Sequence, residues 1–167
     1  MRIAAFALFA GIVYLSLGLL GFMPAALQPA APDASSMRLA AFYGDLLGLF
    51  PVNAVHSAVH LAVGAWGVAA GRGITSAKWY ARALAVIFGL LALIGLIPQL
   101  STLVGLVPLH GHDVWLHAAT AGLAGYFGWR SEPADQRHED DRRQHSLPVE
   151  RERRLRHGDR RTPGSEV

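Results

Sequence analysis

Four stretches of the chain are apolar over lengths that match a bilayer, and the residues between them are small, polar or Pro-rich. Crossing a hydrocarbon core takes about 20 helical residues at a rise of about 1.5 Å each. Residues 3–23, 52–70, 81–100 and 109–129 meet or approach that length. A core helix of a water-soluble domain shows a polar face at 3.6 periodicity, but 81–98 shows none and carries no charge after Arg82. The fourth run reaches full length only if it begins at Leu109 and carries His110, His112 and Asp113 with it. The pattern predicts an all-α chain, an integral membrane four-helix bundle.

The runs are related in pairs. Gly48-Leu49-Phe50-Pro51-Val52-Asn53, with His56 and His60 behind it, returns 57 positions later as Gly105-Leu106-Val107-Pro108-Leu109-His110 with Asp113 and His117. Gly21-Phe22-Met23-Pro24 at the end of the first run likewise matches Gly95-Leu96-Ile97-Pro98 at the end of the third. A helical hairpin used twice gives two parallel repeats about an axis along the membrane normal. The first run has features of a secretion signal, with Met1-Arg2 before it and Ala25, Ala26, Ala30 and Ala31 after it. It is longer than a signal core, and its removal would break the doubling, so it reads as a retained span.

Charge then sets orientation. Hydrophobic residues make up 52% of the chain, and residues 1–130 contain only Asp33, Asp45 and Asp113 against Arg2, Arg38, Arg72, Lys78, Arg82 and Arg130. The other nine acids and nine bases lie in 131–167, so the net charge of +3 belongs to the apolar part and is no nucleic-acid footprint. Basic residues stay on the cytoplasmic side. Arg2, the Arg72/Lys78/Arg82 turn and Arg130 share that side, which puts both termini in the cytoplasm of a multi-pass protein of the cell membrane. Residues 24–51 are Pro- and Ala-rich and then amphipathic from Met37 to Phe50; a short interfacial helix is expected there, with an irregular loop as the alternative. Residues 131–167 read as a disordered charged tail. Zero cysteines exclude disulfides and thiolate chemistry.

Candidate chemistry lies in the second and fourth runs. Asn53, His56 and His60, then Gly64, Gly67 and Gly71, step by three or four and share one helical face. His110, Asp113 and His117, then Ala121, Ala124 and Gly128, do the same. These stripes are expected to face each other or the neighbouring hairpin, with His60 and His117 touching near the midplane. Ionisable residues at that depth point to function by default. The preferred reading is nonetheless a structural network in which neutral imidazoles, Asn53 and Asp113 satisfy one another, with no metal and no cofactor. The alternatives are a proton-linked or small-solute site, and a four-ligand metal site of His56, His60, Asp113 and His117. His-Ser-Ala-Val-His at 56–60 lacks the catalytic Glu of a metalloprotease motif, and no haem, phosphate-loop or nucleophile signature occurs. Trp66, Trp79, Trp115, Trp129 and Tyr126 read as interfacial anchors.

Residues 48–61 with Gly64, together with 105–109 and 113–117, resemble the bacterial membrane family catalogued as domain of unknown function 4383. The resemblance covers about residues 1–130. It implies a small four-span membrane protein and brings no established activity. His110 departs from the Asn that its counterpart Asn53 suggests. The expectation is a structural or binding membrane protein rather than an enzyme, with the lipid bilayer as partner and a homo-oligomer as an option. A metal- or proton-linked transporter or sensor is the alternative.

Overall fold

A computed structural model describes residues 2–29 and 37–130. The expected disordered tail at 131–167 lies outside the described residues. Four helices dominate: α1 (Ile3–Leu20), α2 (Ala54–Ala70), α3 (Ile74–Gly95) and α4 (His112–Trp129). Two of them, α1 and α3, are long and apolar enough to cross a membrane; α2 is apolar but shorter.

α1 packs along α2, and α3 along α4. Both pairs are antiparallel hairpins. On the first, Gly11 faces the backbone of Gly64 to Val68, Gly18 faces Leu61, and Gly71 faces Ala4 and Leu8. A Cβ on Gly11 would lie 2.5 Å from the Val68 nitrogen, and one on Gly64 would lie 2.4 Å from the Leu15 nitrogen. The backbones touch, so only glycine fits at either contact. On the second hairpin, Gly128 lies against Ala81 and Arg82, and Ala121 against Gly89. The small-residue stripes therefore face their own hairpin partners and not each other. The long polar side chains at the starts of α2 and α4 hold those two backbones apart, whereas glycine and alanine allow contact within each pair.

The turn between α2 and α3 is short, and the Ser76 hydroxyl closes it by donating to the carbonyls of Ala70 and Gly73, each at 2.9 Å. α3 starts seven residues before the expected apolar run because Lys78 and Arg82 are compatible with helix, if not with hydrocarbon. It stops at Gly95 because Pro98 has no N–H and disfavours the helical region for Ile97.

In place of the interfacial helix expected between Met37 and Phe50 stands a small antiparallel sheet. Its strands are β1 (Leu27–Gln28), β2 (Gly44–Leu46) and β3 (Phe50–Val52), in the order β1-β2-β3. The register pairs Leu27 with Leu46 and Leu46 with Phe50. A helix fails here because Leu47 and Gly48 take φ of 53° and 71° and turn the chain, and Pro51 pushes Phe50 into extended backbone. Pro51 is tolerated because β3 is an edge strand. The connection from α3 to α4 contains the same left-handed pair, Val104 at 60° and Gly105 at 83°. The two connections are joined: the amides of Arg38 and Leu39 donate to the Gly105 carbonyl at 2.8 and 3.3 Å.

The apolar core runs through Ile3, Phe6, Ala7, Tyr14, Ala77, Tyr80, Leu84, Phe88 and Ala124. Large apolar side chains also point outward: Phe9, Leu93 and Leu96 are each more than 60% exposed. The buried polar and charged residues, by contrast, are Asn53, His56, Ser57, His60, Asp113 and His117.

Candidate functional site

The site is built where α2 and α4 begin, at the sheet end of the bundle. Asn53 precedes α2 in extended backbone, and its Oδ1 accepts the His56 amide at 2.9 Å. Its Nδ2 donates to the carbonyls of Leu39 at 3.0 Å and Leu106 at 2.7 Å. One side chain thus caps a helix and ties both connections to it. Asn53 belongs to the scaffold, not to the polar cluster in which the sequence placed it.

α4 begins differently. Its N-cap is Gly111, at φ 64° and ψ −134°, with no side-chain cap. The 57-residue repeat would have put His110 in that role. The helix instead starts one residue later, and His110 is half-buried with no hydrogen bond or ion pair among the described residues. His110 is therefore not brought into the cluster. Asp113, in the first turn of α4, complements the positive end of the helix dipole.

Four of the six candidate residues do converge. His56 and His60 stand one turn apart on α2 with ring centroids 4.4 Å apart. The His117 ring lies 6.0 Å from His56 and 6.5 Å from His60. Asp113 lies between the hairpins, with Oδ1 3.8 Å from His56 Nε2 and Oδ2 3.4 Å from His117 Nδ1. All four residues are buried, Asp113 completely. The expected hydrogen-bonded network is not formed: the two contacts lie at ion-pair distance without hydrogen-bond geometry. Buried polar atoms without a partner include His56 Nδ1, both ring nitrogens of His60, both oxygens of Asp113 and His117 Nδ1. His60 and His117 approach edge-on without a hydrogen bond. The cause is geometric: ring faces and edges, rather than ring nitrogens, meet the neighbouring side chain.

The sequence did not mark the walls. Tyr14 of α1 sets its ring 5.1 Å from His60 and shares a 2.7 Å hydrogen bond between its hydroxyl and Thr120 Oγ1 of α4. Phe88 of α3 lies 4.9 Å from His117 and 5.0 Å from Tyr14. As the one hydroxylated aromatic in the first apolar run Tyr14 offered a signal, but nothing in the repeat paired it with Thr120. All four helices thus contribute to the site. Trp79, Trp115, Trp129 and Tyr126 are exposed on the bundle surface, and Trp66 is exposed beside Tyr80; none lines the cluster.

Residues 4–130 match the family model described as Domain of unknown function (DUF4383), and the chain belongs to that family. No curated protein and no solved structure matches the chain.

Proposed function

We propose that this member of the family is a four-span membrane protein with a binding role, and that His56, His60, Asp113 and His117 hold its ligand. One observation carries the reading: six buried polar atoms on four converging side chains have no hydrogen-bond partner. Each such atom costs about 1–3 kcal/mol when left unsatisfied. A cluster retained only to fix helix register would spend those groups on one another. Atoms that converge and stay unpaired are what a ligand would satisfy.

Placement in the bilayer is supported by the inverted distribution of side chains, with Phe9, Leu93 and Leu96 outside and the imidazoles and carboxylate inside. Hydrocarbon is the solvent that such an exterior suits. The doubled hairpin is supported by the paired left-handed turns at Leu47/Gly48 and Val104/Gly105 and by the pairing of α1 with α2 and α3 with α4. With Arg72, Lys78 and Arg82 on the cytoplasmic side, the site faces the opposite leaflet. Beyond Tyr14 and Phe88 the core continues through Leu84, Phe6 and Ile3, all apolar and buried. That floor favours a resident ligand over passage through the bundle.

The test of binding needs no knowledge of the ligand. In protein stripped with chelator and extensively dialysed in mild detergent, His60→Leu removes two unsatisfied buried nitrogens, so the melting temperature should stay level or rise. A large fall would mean that the histidine serves the fold, and would end the binding reading. For topology, a cysteine at Thr102 should react with an impermeant reagent added outside cells and one at Thr75 should not; external labelling at position 75 would reverse the orientation.

A further inference from the structure

The geometry points to a divalent transition metal of the zinc class as the ligand, held by ring nitrogens of His56, His60 and His117, with Asp113 as the carboxylate that orients and balances them. This rests on the binding reading above and names its ligand.

Size comes first. One donor atom from each of the three histidines falls within 4.8 Å of the others. Zinc–nitrogen bonds of about 2.0–2.1 Å in tetrahedral geometry place ligand nitrogens roughly 3.3 Å apart. Rotation of the His60 ring, which no hydrogen bond holds, narrows that gap. The space among the donors suits one ion or one water, not an organic molecule.

Donor chemistry narrows the choice. Three imidazoles suit zinc, copper, nickel or cobalt, whereas magnesium and calcium take oxygen ligands. His56 and His60, four residues apart on one helical face, form a two-nitrogen clamp, and His117 closes it from the other hairpin. His60 has both ring nitrogens free of hydrogen bonds, so either can bind.

Asp113 is not one of the mutually close donors. Its oxygens face His117 Nδ1 at 3.4 Å and His56 Nε2 at 3.8 Å. That is the placement of a carboxylate that receives the far N–H of a ligating imidazole, fixes its tautomer and strengthens it as a donor. It leaves the opposite nitrogens of those two rings for the metal.

Charge decides between cation and anion. Two helix N-termini meet here, and alone they would favour an anion. An anion would have to sit against a fully buried carboxylate. A divalent cation instead has half its charge offset by Asp113.

The experiment uses the full chain without an affinity tag, in mild detergent, stripped with chelator, reloaded with zinc chloride and washed. His138, His145 and His157 are replaced by Ala in a background variant so that zinc on those side chains is not counted. Elemental analysis should find stoichiometric zinc in wild type, in the background variant and in His110→Ala, and loss of it in His60→Ala and His117→Ala. Asp113→Asn should weaken zinc about 10–100-fold without abolishing it. Because a variant can fail for lack of folding, the wild-type melting temperature is the second readout; zinc chloride should raise it and magnesium chloride should not. Absence of both bound zinc and a thermal shift overturns the inference, as does zinc that survives in His60→Ala. If His60→Leu still leaves dialysed protein as stable as wild type, only the identity of the ligand falls. If that change unfolds the protein, the binding reading falls first.

Discussion

The starts of α2 and α4 occupy equivalent places in the doubled sequence and do opposite work. At α2, Asn53 makes three hydrogen bonds, to a helix amide and to two connecting segments. At α4 no side chain caps the helix, Gly111 turns the backbone, and the first turn carries the buried Asp113. Position 110, where a second Asn would complete the symmetry, is a histidine that bonds to nothing among the described residues. One start holds the connections together and the other supplies the site's carboxylate, Asp113. The difference teaches that equivalence in a repeated sequence locates a feature without fixing its role.

The comparison breaks most visibly at Asn53. Asn53→Ala removes three hydrogen bonds and leaves the amide of His56 and the carbonyls of Leu39 and Leu106 without partners. At about 1 kcal/mol per bond, the loss should be about 3 kcal/mol in reversible unfolding from mixed micelles. A loss under about 1 kcal/mol would mean that water replaces the tie and that the two starts are more alike than described.

Next in size is Gly111→Ala. A Cβ at that position meets nothing within 4 Å, so any loss comes from the backbone alone. At φ 64° and ψ −134° the expected cost is about 1–3 kcal/mol, read from the same unfolding curves. No effect would show that α4 starts elsewhere. Tyr14→Phe should cost about 1 kcal/mol through the bond to Thr120, and a Thr120→Val partner should add little to it in a double-mutant cycle. Additive losses would separate the two hydroxyls.

Smallest is His110→Ala, expected within about 0.5 kcal/mol of wild type. The sharper version is His110→Asn combined with Asn53→Ala. If the helix start really shifts by one residue between the two copies, the transplanted Asn should not restore stability. Recovery of even half the loss would mean that the copies remain interchangeable.

Much of the fold was legible because long apolar runs leave few alternatives to helix. The sheet was not, since strands of two and three residues carry no period to detect and are fixed by Pro51 and the left-handed pair at Leu47 and Gly48. The convergence of His56, His60, Asp113 and His117 was legible from the repeat. The same arithmetic wrongly drew in His110, because a shift of one residue in a helix start is invisible to spacing. It also assigned Asn53 to the cluster, whose real business is with the carbonyls of Leu39 and Leu106. Tyr14, Phe88 and Thr120 were hidden because they meet across hairpins, where no sequence period relates them.

The short turn between Ala70 and Ile74 has a consequence for assembly. It joins two hairpins that each bury an interface of their own, α1 on α2 and α3 on α4. The histidine pair of one and the Asp-His pair of the other become a single site only when the halves dock. Severing the chain at Arg72 would yield two fragments, one with His56 and His60 and the other with Asp113 and His117. The proposed ligand would then act as a rivet between them, and its retention by the co-expressed fragments would report that the halves have found one another.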